Sequence, residues 1–243
     1  NLEVNKVAPH FNAPRSARRA SFRFASIRAL APRGNRLLVG GDVNVSRTIG
    51  PKGHQHTQFR NGLVAVSTTD AKVDYGFNSH ISGTVEALQR SANTVFVGGS
   101  FSRRSGTKIV KLKPRKGKKR SRKIALYRYN LVAEDAATGV LRRAFAPAPD
   151  SGVSALALSS SQLYVGGRFR IVSQRRRDGF AAVDPASGKP ASLFSPEPAG
   201  GDSGVSALLA DGARVYAGGD FDGFGLVPRA NFAIFGVAGT PAT

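Results

Sequence analysis

The residues of this chain best equipped to do chemistry are cations. Twelve lysines and arginines fall between residues 103 and 123: Arg103, Arg104, Lys108, Lys111, Lys113, Arg115, Lys116, Lys118, Lys119, Arg120, Arg122 and Lys123. No acid occurs from Ala87 through Ala133. A second group, Arg168, Arg170, Arg175, Arg176 and Arg177, follows downstream, and Arg47, Lys52 and Arg60 form a smaller one upstream. Arginine grips phosphate, sulfate or carboxylate through two parallel hydrogen bonds, whereas lysine acts as a point charge. The net charge is +21, and +9 remains when the twelve are set aside, so the bias is not confined to one stretch. Such a charge concentrates polyanions around the chain. The expected partner is therefore an anionic polymer, acidic glycan or nucleic acid, or an acidic protein surface, held by the first two groups.

Other chemistries find fewer candidates. With no cysteine there is no disulfide, thiolate nucleophile or thiolate metal site. His54-Gln55-His56 has the alternation of a chelate, but the nearest acids are Asp42 and Asp70, so loop polarity is the simpler reading. Asp70, Asp135, Asp184 and Asp211 stand in turn-like contexts and are read as turn formers, not a catalytic pair. Asp220 and Asp222 lack the further oxygen ligands of a calcium loop. No nucleophile elbow or P-loop is present. No catalytic residue, metal or cofactor is assigned, and the expectation is a protein that is not an enzyme. Tyr127 and Tyr129, at alternate positions after the basic stretch, are read as packing or edge residues, which makes base stacking a weak signal.

The elements that must carry these residues repeat four times. A first strand runs Ile27-Arg28-Ala29-Leu30, Val85-Glu86-Ala87-Leu88, Val153-Ser154-Ala155-Leu156 and Val205-Ser206-Ala207-Leu208. A second strand ends in a glycine pair, Gly40-Gly41, Gly98-Gly99, Gly166-Gly167 and Gly218-Gly219, and the leucine precedes the first glycine by ten positions every time. A third strand begins at Leu63, Leu131, Phe180 and Phe232. A fourth, outer strand is marked by Phe77, Phe145 and Phe194, close to proline or asparagine, which an edge tolerates. The distance from the second glycine to the third strand is 22, 32, 13 and 13 positions, so the basic stretches are insertions at one point of the repeat. Insertions emerging on one face commonly mark the binding face of a repeat protein.

Four short strands per copy, with glycine pairs 58, 68 and 52 residues apart, predict an all-β fold, a β-propeller with four blades of about four antiparallel strands. The boundaries are an N-terminal segment 1–25, blade one 26–81, blade two 82–149 with the basic insert 103–123, blade three 150–200, and blade four 201–243 without its outer strand. Residues 7–14, which resemble the outer-strand segments, are expected to supply that strand and close the ring; the rival is an open ring completed by other sequence or another chain. The V-x-A-L and Y-V-G-G-x-F motifs resemble the delta-60 type of β-propeller repeat over about residues 26–243. The resemblance implies fold above all, and, with the missing initiator methionine, a processed, secreted or cell-surface protein. No apolar run reaches the roughly 18–20 residues of a membrane span.

A non-catalytic binding or scaffold protein is thus expected, with a basic loop face against an anionic polymer or acidic partner. The alternatives are a structural subunit of a large protein or nucleoprotein assembly anchored by the basic insert, and an enzyme using the axial face. A solvated basic surface with no specific partner is the plainest reading of all.

Overall fold

A computed structural model describes residues 20–49, 56–115, 118–192, 194–200 and 204–236. Every regular element among them is a strand. Copy one forms a sheet of β1 (Ala20–Arg33), β2 (Arg36–Ile49) and β3 (His56–Ser67), and copy two a sheet of β4 (Ile81–Ser91), β5 (Thr94–Arg115) and β6 (Lys118–Asp135). Copy three has β7 (Val153–Leu158), β8 (Leu163–Gly167), β9 (Ile171–Val172), β10 (Arg175–Arg176) and β11 (Phe180–Val183). Then come β12 (Pro198–Ala199), β13 (Gly204–Asp211), β14 (Arg214–Asp220), β15 (Gly223–Phe224), β16 (Val227–Pro228) and β17 (Phe232–Gly236). The main sheets are antiparallel, with the glycine strand in the middle: β1-β2-β3, β4-β5-β6, β7-β8-β11 and β13-β14-β17.

The V-x-A-L motif is a β-bulge. Val85 pairs with Gly99 and Ala87 with Gly98, so Glu86 is the extra residue, and Arg28, Ser154 and Ser206 hold the same place. The two glycines then have separate reasons. A Cβ on the second would meet a backbone carbonyl of the bulged strand, at 2.2 Å from Thr84 O for Gly99 and 2.3 Å from Gly152 O for Gly167. A Cβ on the first would strike the valine of the next copy, at 2.5 Å from Val85 for Gly40, 2.6 Å from Val153 for Gly98 and 2.7 Å from Val205 for Gly166. The seam between copies is thus a valine seated on a glycine.

Accordingly three hydrophobic cores lie between copies, beside a smaller one within copy one around Val39, Val43, Val45 and Val64. One joins Leu38 and Leu63 of copy one to Val85 and Val97 of copy two; a second joins Phe96 and Leu131 to Val153 and Val165; a third joins Tyr164 and Phe180 to Val205 and Val215. Phe77, Phe145 and Phe194 plug these cores and are fully or almost fully buried.

Those phenylalanines mark a departure from expectation, since the main sheets have three strands rather than about four. The chain after the third strand makes one isolated bridge per copy in the first three copies: Val66 with Val73, Glu134 with Leu141, Val183 with Pro190. Two flanking hydrogen bonds, such as Asp135 N to Val140 O and Arg142 N to Ala133 O, exhaust the pairing. The prolines beyond, Pro147, Pro149 and Pro196, have no N–H to extend a ladder, and the phenylalanine leaves the sheet for the core.

The first strands adjoin one another in chain order, β1 to β4 to β7 to β13. Among the described residues no comparable contact brings copy four back to copy one. The expected closing segment, residues 7–14, lies outside the described residues.

Candidate anion-binding site

The basic insert is neither a loop nor a tail. It continues β5 and β6 beyond their sheet as a two-stranded ribbon, paired from Arg104 with Tyr127 out to Arg115 with Lys118. The pattern that allows this is aliphatic: Ile109, Val110 and Leu112 on one strand and Ile124, Ala125 and Leu126 on the other supply extended-backbone formers between the charges. Two residues, Lys116 and Gly117, separate the last pair. Copy one extends β2 and β3 in the same way, from Asn44 with Asn61 to Ile49 with His56. Copies three and four keep stubs at this point, the two-residue hairpins β9-β10 and β15-β16.

Register sorts the ribbon's cations. Residues directly paired share a face, and most cations lie opposite an aliphatic or hydroxyl side chain: Lys108 with Ile124, Ile109 with Lys123, Val110 with Arg122, Lys111 with Ser121, Leu112 with Arg120. Like charges are thereby kept from facing each other along the middle of the ribbon. One face carries Lys108, Arg120 and Arg122 among Val110, Leu112, Ile124 and Leu126. The other carries Lys111 and Lys123 and runs down to Tyr127 and Tyr129. Lys108, Lys111, Lys113, Lys119, Arg120, Arg122 and Lys123 are all exposed, and none has a carboxylate partner among the described residues.

Tyr127 and Tyr129, expected as packing or edge residues, stand on β6, an outer strand of its sheet. Both are about half exposed, with ring centroids 6.4 Å apart, side by side at the ribbon's base. The bulges between Gly98 and Ser102 and between Arg104 and Gly106 shift the register there, where the strand leaves its sheet.

Two of the seventeen expected cations are turned inward. Arg103 is 5% exposed: Nε donates to Glu134 Oε1 at 2.5 Å, Nη2 to Gly139 O at 2.9 Å and Nη1 to Arg104 O at 2.7 Å. Glu134 is fully buried, and burial pushes its carboxyl up to about 8 although Arg103 beside it pulls the other way. Arg177 is 8% exposed and donates to Ala191 O, Arg176 O and Ser195 Oγ. It belongs to a series that the repeat already contains: Arg60, Arg128, Arg177 and Arg229 all precede the third strand by three residues. Arg60 donates to Phe77 O at 2.7 Å and to Tyr75 O, and Arg128 to Arg143 O at 3.0 Å. Arg60, Arg128 and Arg177 tie the third strand of their copy to the chain carrying the core phenylalanine. Position in the repeat was the signal that could have separated them from the exposed cations.

The remaining basic residues of copy three are exposed, and three border a cleft with acids. Arg168, Arg170 and Arg176 share it with Asp178 and Glu197, and Arg176 Nε lies 2.5 Å from Asp178 Oδ2. Arg104 and Arg175 are exposed, the strand positions 115 and 118 close the ribbon's pairing, and Lys116 lies outside the described residues.

The acids act as turn formers. Asp184 Oδ1 accepts from the Ser187 hydroxyl at 2.6 Å and its amide at 2.7 Å, and these bonds hold its carboxyl below the usual range. Asp135 Oδ1 accepts from Ala137 N, Thr138 N and Thr138 Oγ1. Both border one cleft between copies two and three, yet each carboxylate is committed to its own turn. His56 begins β3, while His54 and His10 lie outside the described residues. Burial, then Arg103, Arg60 and Arg104, hold the His80 imidazole below its ordinary value. No group of three or more potential metal ligands occurs among the described residues, and no helix there is long and apolar enough to cross a membrane.

No family model matches the chain, and no curated protein matches it. Among solved structures the chain is similar to one described as the crystal structure of the computationally designed Ika4 protein, at 17% sequence identity over 87% of this chain and 91% of that one, with a TM-score of 0.48.

Proposed function

We propose that this chain is a non-catalytic binding module, a β-propeller-type repeat of the delta-60 kind, that grips an anionic polymer with the ribbon of copy two. One observation carries the reading: seven exposed cations beyond Arg104 on a paired two-stranded ribbon, without a carboxylate partner among the described residues. A loop of the same composition would have to lose much conformational freedom on binding; the ribbon's ladder has already ordered the backbone.

Geometry favours a polymer that flanks the ribbon. A two-stranded ribbon fits the major groove of duplex DNA, and cations on both faces can meet phosphates on both walls. From Arg104 to Arg115 the ribbon reaches roughly 35 Å at about 3.3 Å per residue, close to one duplex turn of about 34 Å. A sulfated glycan lying along one face would use only part of the charge.

The test is a titration of the full chain with fluorescent duplex DNA, duplex RNA and a heparin oligosaccharide, beside a variant with residues 105–126 replaced by Asn-Gly. Duplex affinity is expected to fall on the order of a thousandfold or more between about 50 and about 200 mM salt, and the shortened variant to lose most of that affinity and slope. Equal loss for heparin, with weak duplex binding in the parent, would move the assignment to acidic glycan. Unchanged affinity in the shortened variant would overturn the ribbon as the site.

A further inference from the structure

The base of the ribbon has two faces, and only one of them is tied to the rest of the fold. Residues paired across β5 and β6 share a face: Arg103 with Arg128 on one side, and Arg104 with Tyr127 and Ser102 with Tyr129 on the other. The first side is closed. Arg103 donates to Gly139 O at 2.9 Å and Arg128 to Arg143 O at 3.0 Å, which pins both strands to the chain that follows β6. The second side is open to solvent: Tyr127 and Tyr129 are 48% and 54% exposed, and Arg104 beside them is exposed too. The two rings, 6.4 Å apart and tilted by 35°, do not stack on each other. Further out the same face continues through Lys123, paired with Ile109, and Lys111, paired with Ser121. Arg104, Lys111 and Lys123 have no carboxylate partner among the described residues.

We propose that this outer face is a platform for unpaired nucleobases, so that the nucleic acid gripped by this protein is one in which a duplex gives way to a single strand. The inference rests on the reading of the ribbon as the element that grips a duplex, and adds what the ribbon's base does. Bases inside a duplex already have both faces covered by their neighbours, so the tyrosines have nothing to offer a blunt duplex. An unpaired base has a free face, and stacking it on an aromatic side chain tolerates any sequence because every base has one. Placement agrees. With the ribbon in the major groove, its base lies where the paired segment ends against the protein, and a strand leaving the duplex there meets Tyr127 and Tyr129. Cations that track a backbone beside aromatics that receive its bases are the two parts of a sequence-tolerant single-strand site. Arg104, Lys123 and Lys111 supply the first part and the tyrosines the second. The bonds of Arg103 and Arg128 already hold the strands beneath the rings, so little ordering is left to be done on binding.

The test is fluorescence anisotropy of the full chain with a blunt duplex of one helical turn, the same duplex carrying a short single-stranded thymidine tail, and the tail alone. Two double variants accompany the parent, Tyr127→Ala with Tyr129→Ala and Tyr127→Phe with Tyr129→Phe. The tail is expected to raise the affinity of the duplex about 5–150-fold for each base stacked. The double-alanine variant should lose that gain and bind the blunt duplex as the parent does, whereas the double-phenylalanine variant, which keeps both rings, should retain it. Iodouracil placed in the tail should photocross-link to Tyr127 or Tyr129. Both side chains are about half exposed, so the melting temperature of each variant should stay close to that of the parent. A parent that binds blunt and tailed duplexes equally overturns this inference and leaves the reading of the ribbon standing; a parent that binds neither overturns both. A tail that binds alone as tightly as the tailed duplex also overturns it, as does an equal loss of heparin binding in the double-alanine variant.

Discussion

Cations of two kinds stand a few residues apart here, and burial separates them. Arg103 is locked to Glu134 and two carbonyls, while Lys111 and Arg120 are exposed and have no carboxylate partner among the described residues. Arg103→Ala should therefore destabilise the fold by about 1–3 kcal/mol, the cost of leaving buried hydrogen-bonding groups without their donor, and leave the affinity of the folded protein for a polyanion nearly unchanged. Lys111→Ala and Arg120→Ala should do the reverse, moving stability by no more than about 0.5 kcal/mol while lowering affinity and the salt slope; denaturant melts and binding titrations on the same samples separate the two outcomes. Glu134 adds a pH dependence of known sign. Its carboxyl is raised from 4.5 to about 8 in the folded chain, so between those values the native state holds a proton that the unfolded chain releases. Its contribution to stability is complete below the lower value and is lost as pH rises through the upper one. Denaturant midpoints at pH 5 and pH 9 should differ more in the parent than in Glu134→Gln, whose amide takes the same place without ionising. Equal differences would show that another group carries the pH dependence.

At the scale of elements, the ribbon is where sequence and structure part most instructively. Glycine pairs, first strands and Asp turns are local patterns, and each was legible, the bulge in the first strand excepted: the ten-residue spacing from leucine to glycine recurs in every copy, and Asp135 and Asp184 close the turns that their types suggest. The insert was not legible as a strand pair because lysine and arginine interrupt the aliphatic alternation, and their density reads as a solvated loop. Only the partner strand reveals the order, through pairs such as Val110 with Arg122. Arg103 was equally opaque, since its partner Glu134 lies 31 residues onward. The base of the ribbon carries its own prediction. Tyr127 and Tyr129 are exposed neighbours on the face of Lys111 and Lys123, an arrangement on which unstacked bases can lie. Replacing both by alanine should weaken single-stranded oligonucleotide binding by about 1–3 kcal/mol per stacked base and affect duplex binding much less. Equal losses on both ligands would mean that the tyrosines support the ribbon instead of touching bases.

Across the whole molecule, the seams account for more of the architecture than the sheets do. Every main core is shared by two copies, so stability is a matter of neighbours. Gly98→Ala forces a methyl to within 2.6 Å of Val153 and should cost about 1–3 kcal/mol by overpacking. The same change at Gly218, where the nearest atom is 3.7 Å away, should be close to neutral for the fold; thermal melts of the two variants make the comparison. Because each seam repeats one rule, nothing in any single seam counts the copies. A gene encoding this array could gain or lose a whole copy by unequal recombination, and the new junction would again bring a valine onto a glycine. Copy number is then a heritable variable in its own right, free to drift while ribbon length and charge drift separately at their own position in the repeat.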